Sequence, residues 1–302
     1  MTIQEEKISI WFIINPISGG KRKKTISHKI LKYLDLLRFE TSFFYTEHKG
    51  HALEITNNAI KENVQIVCAV GGDGTIHEIG TRLIHSSTAL AIIPRGSGNG
   101  IANHLGISKK IKKAIDCINN NRMTLMDTVA VNDSFFIGTS GFGIDALIAE
   151  KFDSDKKRGF KTYLKHSFKE FIKLKPIQIK ININNKAEEI EAFMLCFANT
   201  SEFGNRFIIS PHSSVKDGQI EMVIVRPFPK WKGPMIAAKF FGKTTGQSKY
   251  IETKVITEAK IELINSIAHY DGESVQVNKE VFLKVLPASL KVVVPVNKTL
   301  KI

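Results

Sequence analysis

Apolar positions in the first 120 residues alternate between two spacings. The run Ile8-Ser9-Ile10-Trp11-Phe12-Ile13-Ile14 reads as a buried strand stopped by Asn15-Pro16. Residues 24–37 repeat Ile26, Ile30, Leu34 and Leu37 at helical spacing. Strands are then expected at 39–45, 64–70 and 89–93, the last stopped by Pro94, and helices at 51–62, 75–85, from 100 to 105 and at 111–119. Such alternation predicts a parallel sheet with right-handed crossovers, and binding loops at the C-terminal ends of its strands.

From about residue 126 the texture changes. Short apolar runs separated by Asn, Asp, Gly and Lys predict strands at 129–131, 134–138, 177–183, 189–199, 220–225, 255–264, 273–277 and 290–295. A β-sandwich or similar antiparallel domain follows from that pattern. No repeat or low-complexity linker separates the halves, so a ligand site is expected between closely packed domains.

Composition sharpens the picture in three ways. The 302 residues suffice for two domains, and 43% apolar with 24% charged residues excludes wholesale disorder. Cys68, Cys117 and Cys196 are widely spaced in apolar surroundings and read as reduced core residues. The first seven residues are acidic rather than basic, and no apolar run reaches the roughly 18 residues that span a bilayer. A cytoplasmic protein is the expectation.

The net charge of +14 predicts attraction to a polyanion or an anionic membrane surface. Residues 151–175 hold nine Lys/Arg and three acids among aromatic and aliphatic residues, as in a basic amphipathic helix. Residues 226–250 hold six Lys/Arg and no acid, with Phe228, Trp231, Met235, Phe240 and Phe241 among them. Either segment read alone fits an ordinary core face with a solvated lysine rim better than a membrane contact. Nucleic acid is not expected as a partner, since no nucleic-acid-binding motif accompanies the charge.

The densest chemical signal is Val70-Gly71-Gly72-Asp73-Gly74-Thr75-Ile76-His77-Glu78-Ile79, a glycine loop between a strand and a helix. Backbone N–H groups and a helix N-terminus suit a phosphate there. Asp73 would repel that phosphate unless Mg²⁺ lay between them, which suggests a nucleoside triphosphate. A capped structural turn is an equal alternative for the loop alone. Two more strand-end loops, Asn15-Pro16-Ile17-Ser18-Gly19-Gly20 and Pro94-Arg95-Gly96-Ser97-Gly98-Asn99-Gly100, offer the same small and polar residues, and Lys21 to Lys24 add charge beside the first. No P-loop sequence is present, and the second loop misplaces the third glycine of a dinucleotide fingerprint.

In order and spacing, NPISGG, GGDGTIHEI and PRGSGNGIA resemble the catalytic domain shared by diacylglycerol kinases, sphingosine kinases and bacterial soluble lipid kinases. The resemblance covers essentially the whole chain. It implies a phosphofructokinase- and NAD-kinase-like α/β domain at 1–126 and a β-sandwich lipid domain at 127–302, with the last strand, 290–302, a candidate to return to the first domain. It also implies transfer of the γ-phosphate of ATP, with Mg²⁺, to a membrane-lipid hydroxyl by a protein peripheral to an anionic membrane. NAD kinase and a catalytically silent lipid- or nucleotide-binding regulator are the alternatives, and a homodimer is left open.

Carried over by position, Asn15, Pro16, Ile17, Ser18, Gly19, Thr46, Gly72, Asp73, Gly74, Thr75, Ile76, His77, Glu78 and Ser97 match the family's nucleotide contacts, and Asn99 fits the same site. Asp73 matches an aspartate near catalytic Mg²⁺ and Asp127 a second one, with a plain surface turn an equal reading of Asp127. In Tyr270-Asp271-Gly272-Glu273 the resemblance makes Glu273 the general base and Asp271 its helper, although Asp-Gly is also a favoured hairpin turn. Asp217, with the carbonyls of Ser214 and Gln219, would bind a structural Mg²⁺. Gly100 departs from the pattern, standing where many bacterial members carry a carboxylate.

Overall fold

The computed structural model describes residues 6–18, 25–144, 146–147, 175–242, 244–263 and 267–296. The chain divides into two compact units, Met1–Met126 with Ala288–Leu300, and Asp127–Pro287 with Lys301–Ile302.

In the first unit β1 (Ile8–Ile14), β2 (Phe39–Tyr45), β3 (Ile66–Gly71) and β4 (Ala89–Pro94) lie in the order β2-β1-β3-β4, every neighbouring pair parallel. β3 and β4 are buried at all positions, as unbroken apolar strands of a parallel sheet must be. Helices α1 (Ile26–Tyr33), α2 (His51–Lys61), α3 (Asp73–Arg82), α4 (Gly100–His104) and α5 (Ile111–Asn120) connect or follow these strands. Each longer helix buries one stripe, for example Ile26 and Ile30 of α1, Ile76 and Ile79 of α3, and Ile115 and Ile118 of α5. The chain steps outward from β1 to β2 and then back across to β3, so the order reverses between β1 and β3. Loops diverging at such a reversal leave a crevice at the strands' C-terminal ends.

α1 is shorter than its apolar pattern suggested. Leu34 is already extended at ψ 141°, and Leu37 is 86% exposed. The Asp35 carboxylate accepts the Leu37 N–H at 3.1 Å while the Asp35 N–H donates to Asn119 Oδ1 at 3.0 Å, a local turn that competes with the helix.

The second unit is a sandwich of two antiparallel sheets. Its strands are the end of β5 (Met123–Val131), β6 (Ser134–Phe136), β7 (Thr139–Gly143), β8 (Ile177–Ile183), β9 (Lys186–Ala192), β10 (Met194–Ala198), β11 (Glu202–Gly204), β12 (Phe207–Ile208), β13 (Ile220–Val225), β14 (Ile251–Ile256), β15 (Glu258–Leu263), β16 (Ile267–Tyr270), β17 (Glu273–Gln276) and most of β18 (Glu280–Val293). One sheet runs β14-β13-β10-β7-β16-β17 and the other β18-β15-β8-β9, with β5 and β6 alongside. Ile179, Ile181 and Ile261 from the second sheet and Leu195, Phe197, Met222 and Ile224 from the first share one core. The alternate residues of β10, Met194, Cys196 and Ala198, face a second core closed by Phe228 and by Ile236 and Phe240 of α6 (Gly233–Phe241).

The continuous patterns at 189–199 and 255–264 each become two strands, because the chain changes sheet at Phe193 and at Thr257. β18 crosses the division between units at Ala288, which has φ 51°, and its last residues pair parallel to β4 through Val292 and Leu90. All three cysteines are buried, and burial pushes the Cys117 thiol up to about 11. The basic stretch at 151–174, Gly19 to Lys24 and Asp145 lie outside the described residues.

Candidate active site

Four strand-end loops of the first unit are hydrogen-bonded to one another. The Asn15 N–H donates to Val70 O at 3.1 Å, Thr46 N–H to Ile14 O at 2.9 Å, and Arg95 N–H to Gly71 O at 2.6 Å. Asn15 Nδ2 donates to Thr75 Oγ1 at 3.2 Å while its Oδ1 accepts the Ile17 N–H at 3.1 Å, so one side chain shapes its own loop and ties it to the next. Glu78 Oε1 accepts the Gly50 N–H at 3.1 Å at the start of α2.

The glycine loop and the PRGSGN loop cross backbone against backbone. A Cβ on Gly96 would lie 2.5 Å from the Cα of Gly72, and one on Gly72 would lie 3.0 Å from the Cα of Gly96. The approach requires glycine at 96 and leaves a side chain at 72 pressed against backbone. α3 starts at the crossing with Gly72 as its N-cap and no side-chain cap, so its first-turn N–H groups lack intrahelical acceptors and its dipole favours an anion there.

The structure gives Asp73 and Asn99 definite partners. Asp73 Oδ2 accepts the Asn99 N–H at 2.7 Å and Oδ1 accepts the Ile101 N–H at 3.3 Å, so the carboxylate grips the PRGSGN loop on either side of Gly100. Asn99 is wholly buried with φ 57°, and its amide accepts the Gly96 N–H at 2.8 Å and donates to Gly96 O at 2.7 Å. Its side chain therefore shapes the loop. Ile76 is likewise fully buried in the core, and its N–H donates to Gly72 O at 3.0 Å. Pro16, Ile17 and Ser97 are exposed, Ser18, Thr46, Gly74 and His77 half-buried, and Thr75 buried. One group was not singled out from sequence. Arg95 precedes Gly96 at the crossing, and its buried Nε has no hydrogen-bond partner. Its position as the one cation of the PRGSGNG string was the available signal.

In the second unit Asp271 and Gly272 form the two-residue turn between β16 and β17, with φ 52° and 89° and Tyr270 paired to Glu273. That is the left-handed pair a tight hairpin requires. Asp271 is 7% exposed, and its carboxylate accepts three backbone N–H groups, from Ile137 at 3.0 Å, Gly138 at 2.6 Å and Thr139 at 3.0 Å. Its own N–H donates to Thr139 O at 2.8 Å, and Gly272 N–H donates to His269 Nδ1 at 3.4 Å. Asp271 thus anchors the turn, and Glu273 is the half-buried carboxylate that the turn presents. Asn199, another residue that sequence did not flag, is fully buried and donates through Nδ2 to Asp127 O at 2.8 Å and Ile137 O at 2.7 Å, bracing the same segment.

Asp127 is 2% exposed, so it is no surface turn residue. Its Oδ2 accepts the Gly218 N–H at 2.8 Å and its N–H donates to Val215 O at 2.7 Å, which joins it to the turn that carries Ser214, Asp217 and Gln219. Asp217 Oδ1 accepts the Gln219 N–H at 3.0 Å. Among the described residues no group of three or more His, Cys, Asp or Glu side chains is arranged to hold a metal. The oxygen donors here, the carboxylates of Asp127 on β5 and Asp217 on the turn with the carbonyls of that turn, are of the chemical kind Mg²⁺ takes.

Two family models match the chain, one in each half. The family model described as the diacylglycerol kinase catalytic domain matches residues 9–131, and the YegS C-terminal NAD kinase beta sandwich-like domain matches residues 138–294. A diacylglycerol kinase of Staphylococcus saprophyticus is 28% identical over 218 residues, covering 70% of this chain and 71% of that protein. The diacylglycerol kinase of Bacillus subtilis is 28% identical over 219 residues, 71% of this chain and 72% of its own length. In fold, a crystal structure of a diacylglycerol kinase from Bacillus anthracis superposes with a TM-score of 0.73 at 18% identity, covering 96% of this chain and 97% of that one. Matched in both halves by consecutive domain models, the chain belongs to the diacylglycerol kinase family of enzymes.

Proposed function

We propose that this kinase transfers the γ-phosphate of ATP to a hydroxyl of a membrane lipid, with Glu273 as general base. The observation that carries the reading is the crossing of Gly72 and Gly96 at the N-terminus of α3, where backbone donors and the helix dipole converge as a polyphosphate requires. Asn15, Thr75 and the exposed Ser97 add side-chain polarity there, and Arg95 adds a cation beside the transferring group. Asn99, Glu78 and Ile76 contribute by holding the loops in shape.

The residues fit Mg²⁺ in two places. At Asp73 the ligand would be the carboxylate whose two oxygens also accept the Asn99 and Ile101 N–H groups, and at the second place Asp217 with the carbonyls of Ser214 and Gln219 would bind a structural ion beside Asp127. When bound at Asp73 the metal would neutralise developing phosphate charge. On the acceptor side, Asp271 holds the turn through three N–H groups and Glu273 accepts the lipid hydroxyl proton as the oxygen attacks phosphorus.

The test is incubation of the purified chain with labelled ATP and detergent-dispersed diacylglycerol, sphingoid base and phosphatidylglycerol, with NAD as a parallel acceptor. Label in a lipid supports the proposal. Label in NAD alone, or in no acceptor, refutes it.

A further inference from the structure

We infer that the outward face of α6, with the 3-10 turn Lys230–Lys232 before it, is a docking surface for an anionic lipid bilayer. The inference rests on the reading of the acceptor as a membrane lipid. It starts from a surface helix that is apolar on both sides. Inward, Ile236 and Phe240 are buried in the second core of the sandwich unit. Outward, Trp231, Met235 and Phe241 are 78%, 50% and 44% exposed, and Pro234 and Ala238 are exposed between them. Positions 231, 234, 235, 238 and 241 recur at helical spacing, so they form one stripe. A helix that faces only water carries charge along such a stripe.

The rim of the stripe says what covers it. Residues 226–250 hold six Lys/Arg and no acid. Lys232 Nζ lies 5.1 Å from the Trp231 ring and 5.1 Å from the Tyr250 ring, and donates to Tyr250 Oη at 3.0 Å. Lys249 Nζ lies 5.3 Å from the Tyr250 ring, and the Lys239 ammonium donates to Gln247 O at 3.2 Å. Apolar residues flanked by Trp, Tyr and an acid-free set of lysines match the acyl boundary and the headgroup phosphates of an anionic leaflet.

The surface also leads to the proposed base within the same unit. Phe240 and Phe241 pack on Phe207 with centroids 4.9 and 5.3 Å away, Phe207 stacks on Phe203 at 5.9 Å, and Phe203 meets His269 at 5.4 Å. His269 holds the Gly272 N–H of the turn that presents Glu273. A lipid partly lifted from a bilayer at α6 therefore has a continuous run of rings between the membrane and the carboxylate.

The full chain is mixed with extruded vesicles of phosphatidylcholine alone or of phosphatidylcholine with phosphatidylglycerol, without ATP, and binding is read by co-sedimentation. In a Trp11→Phe background Trp231 is the sole tryptophan, so its emission reports the stripe directly. The expected result is binding to the phosphatidylglycerol vesicles that weakens with salt, with a blue shift of Trp231 and quenching by brominated acyl chains. The double variant Trp231→Ser with Met235→Ser binds about tenfold or more weakly, yet keeps its melting point and its turnover on detergent-dispersed lipid. Emission unmoved by vesicles, or binding untouched by the double variant, overturns the inference. So does a concentration-dependent dimer lost in that variant without vesicle binding, which would assign the stripe to a second copy of the chain. Turnover on dispersed lipid with no vesicle binding overturns the dock alone; vesicle binding through Trp231 with no kinase turnover supports the dock and overturns the kinase reading.

Discussion

Replacing Asp271 with Asn separates anchoring from catalysis. The left-handed backbone at φ 52° is tolerated by Asn, so the turn itself is not strained by the change. The amide oxygen can still accept from Gly138 and Thr139, but the NH₂ group then faces the Ile137 N–H, which loses its acceptor. An orphaned buried N–H costs about 1–3 kcal/mol, and turning two charge-assisted bonds into neutral ones adds about 1 kcal/mol more. The expected loss is therefore about 3 kcal/mol, or a melting point lower by about 6–12 °C for a domain of this size. Turnover should fall as well, because Glu273 follows the loosened turn. Glu273→Gln is the companion: its melting point should match the wild type while kcat drops by about a hundredfold to ten-thousandfold, the usual contribution of a general base. Calorimetry and a lipid phosphorylation assay on both variants check this. An Asp271→Asn protein that melts like wild type would refute the anchoring argument, and a fully active Glu273→Gln protein would refute the assignment of the base.

Other outcomes follow from the same geometry. Gly96→Ala drives a Cβ into the Gly72 backbone, so ATP affinity measured by calorimetry should fall steeply while the sandwich unit keeps its melting transition; unchanged affinity would mean that the crossing does not hold the phosphate. Burial pushes the Glu221 carboxyl up, against the opposing hydrogen bond from Ser213 Oγ at 3.0 Å. The folded state then holds that proton more tightly than the unfolded state, so its stabilising contribution is complete below the ordinary carboxylate range and is lost as pH rises through the raised value. Glu221→Gln should accordingly gain stability relative to wild type as pH rises towards neutral, which a melting series reads. Mg²⁺ should raise the wild-type melting point above that in EDTA, and should raise that of Asp217→Ala by less; equal shifts in both would remove Asp217 from the metal set.

Much of this architecture was legible in the sequence, for reasons that differ between regions. The strand starting at Ala89 stands where its apolar run placed it, because a strand buried on both faces leaves an unbroken signature, and the strand starting at Ile8 does so through its buried end at Phe12 to Ile14. The hairpin at Asp271-Gly272 was equally readable, since Asp-Gly encodes its own turn. β7, Thr139–Gly143, was missed because a strand of Thr, Ser and Gly has little apolar pattern, although it sits at the centre of its sheet. The corners at Phe193 and Thr257 were invisible because hydrophobic alternation carries on through a change of sheet. At the site, sequence located the loops but not the direction of each side chain. Asn99 turning back onto Gly96, Asp127 pairing with Gly218 across 91 positions and Asp271 collecting three N–H groups all depend on long-range contacts.

The most direct test of the central claim is mass spectrometry of a total lipid extract incubated with ATP, Mg²⁺ and either wild-type chain or Glu273→Gln. The account predicts a lipid that gains one phosphate with the wild type and is unchanged with the variant. No phosphorylated lipid with the wild type, or equal phosphorylation with both proteins, would contradict it.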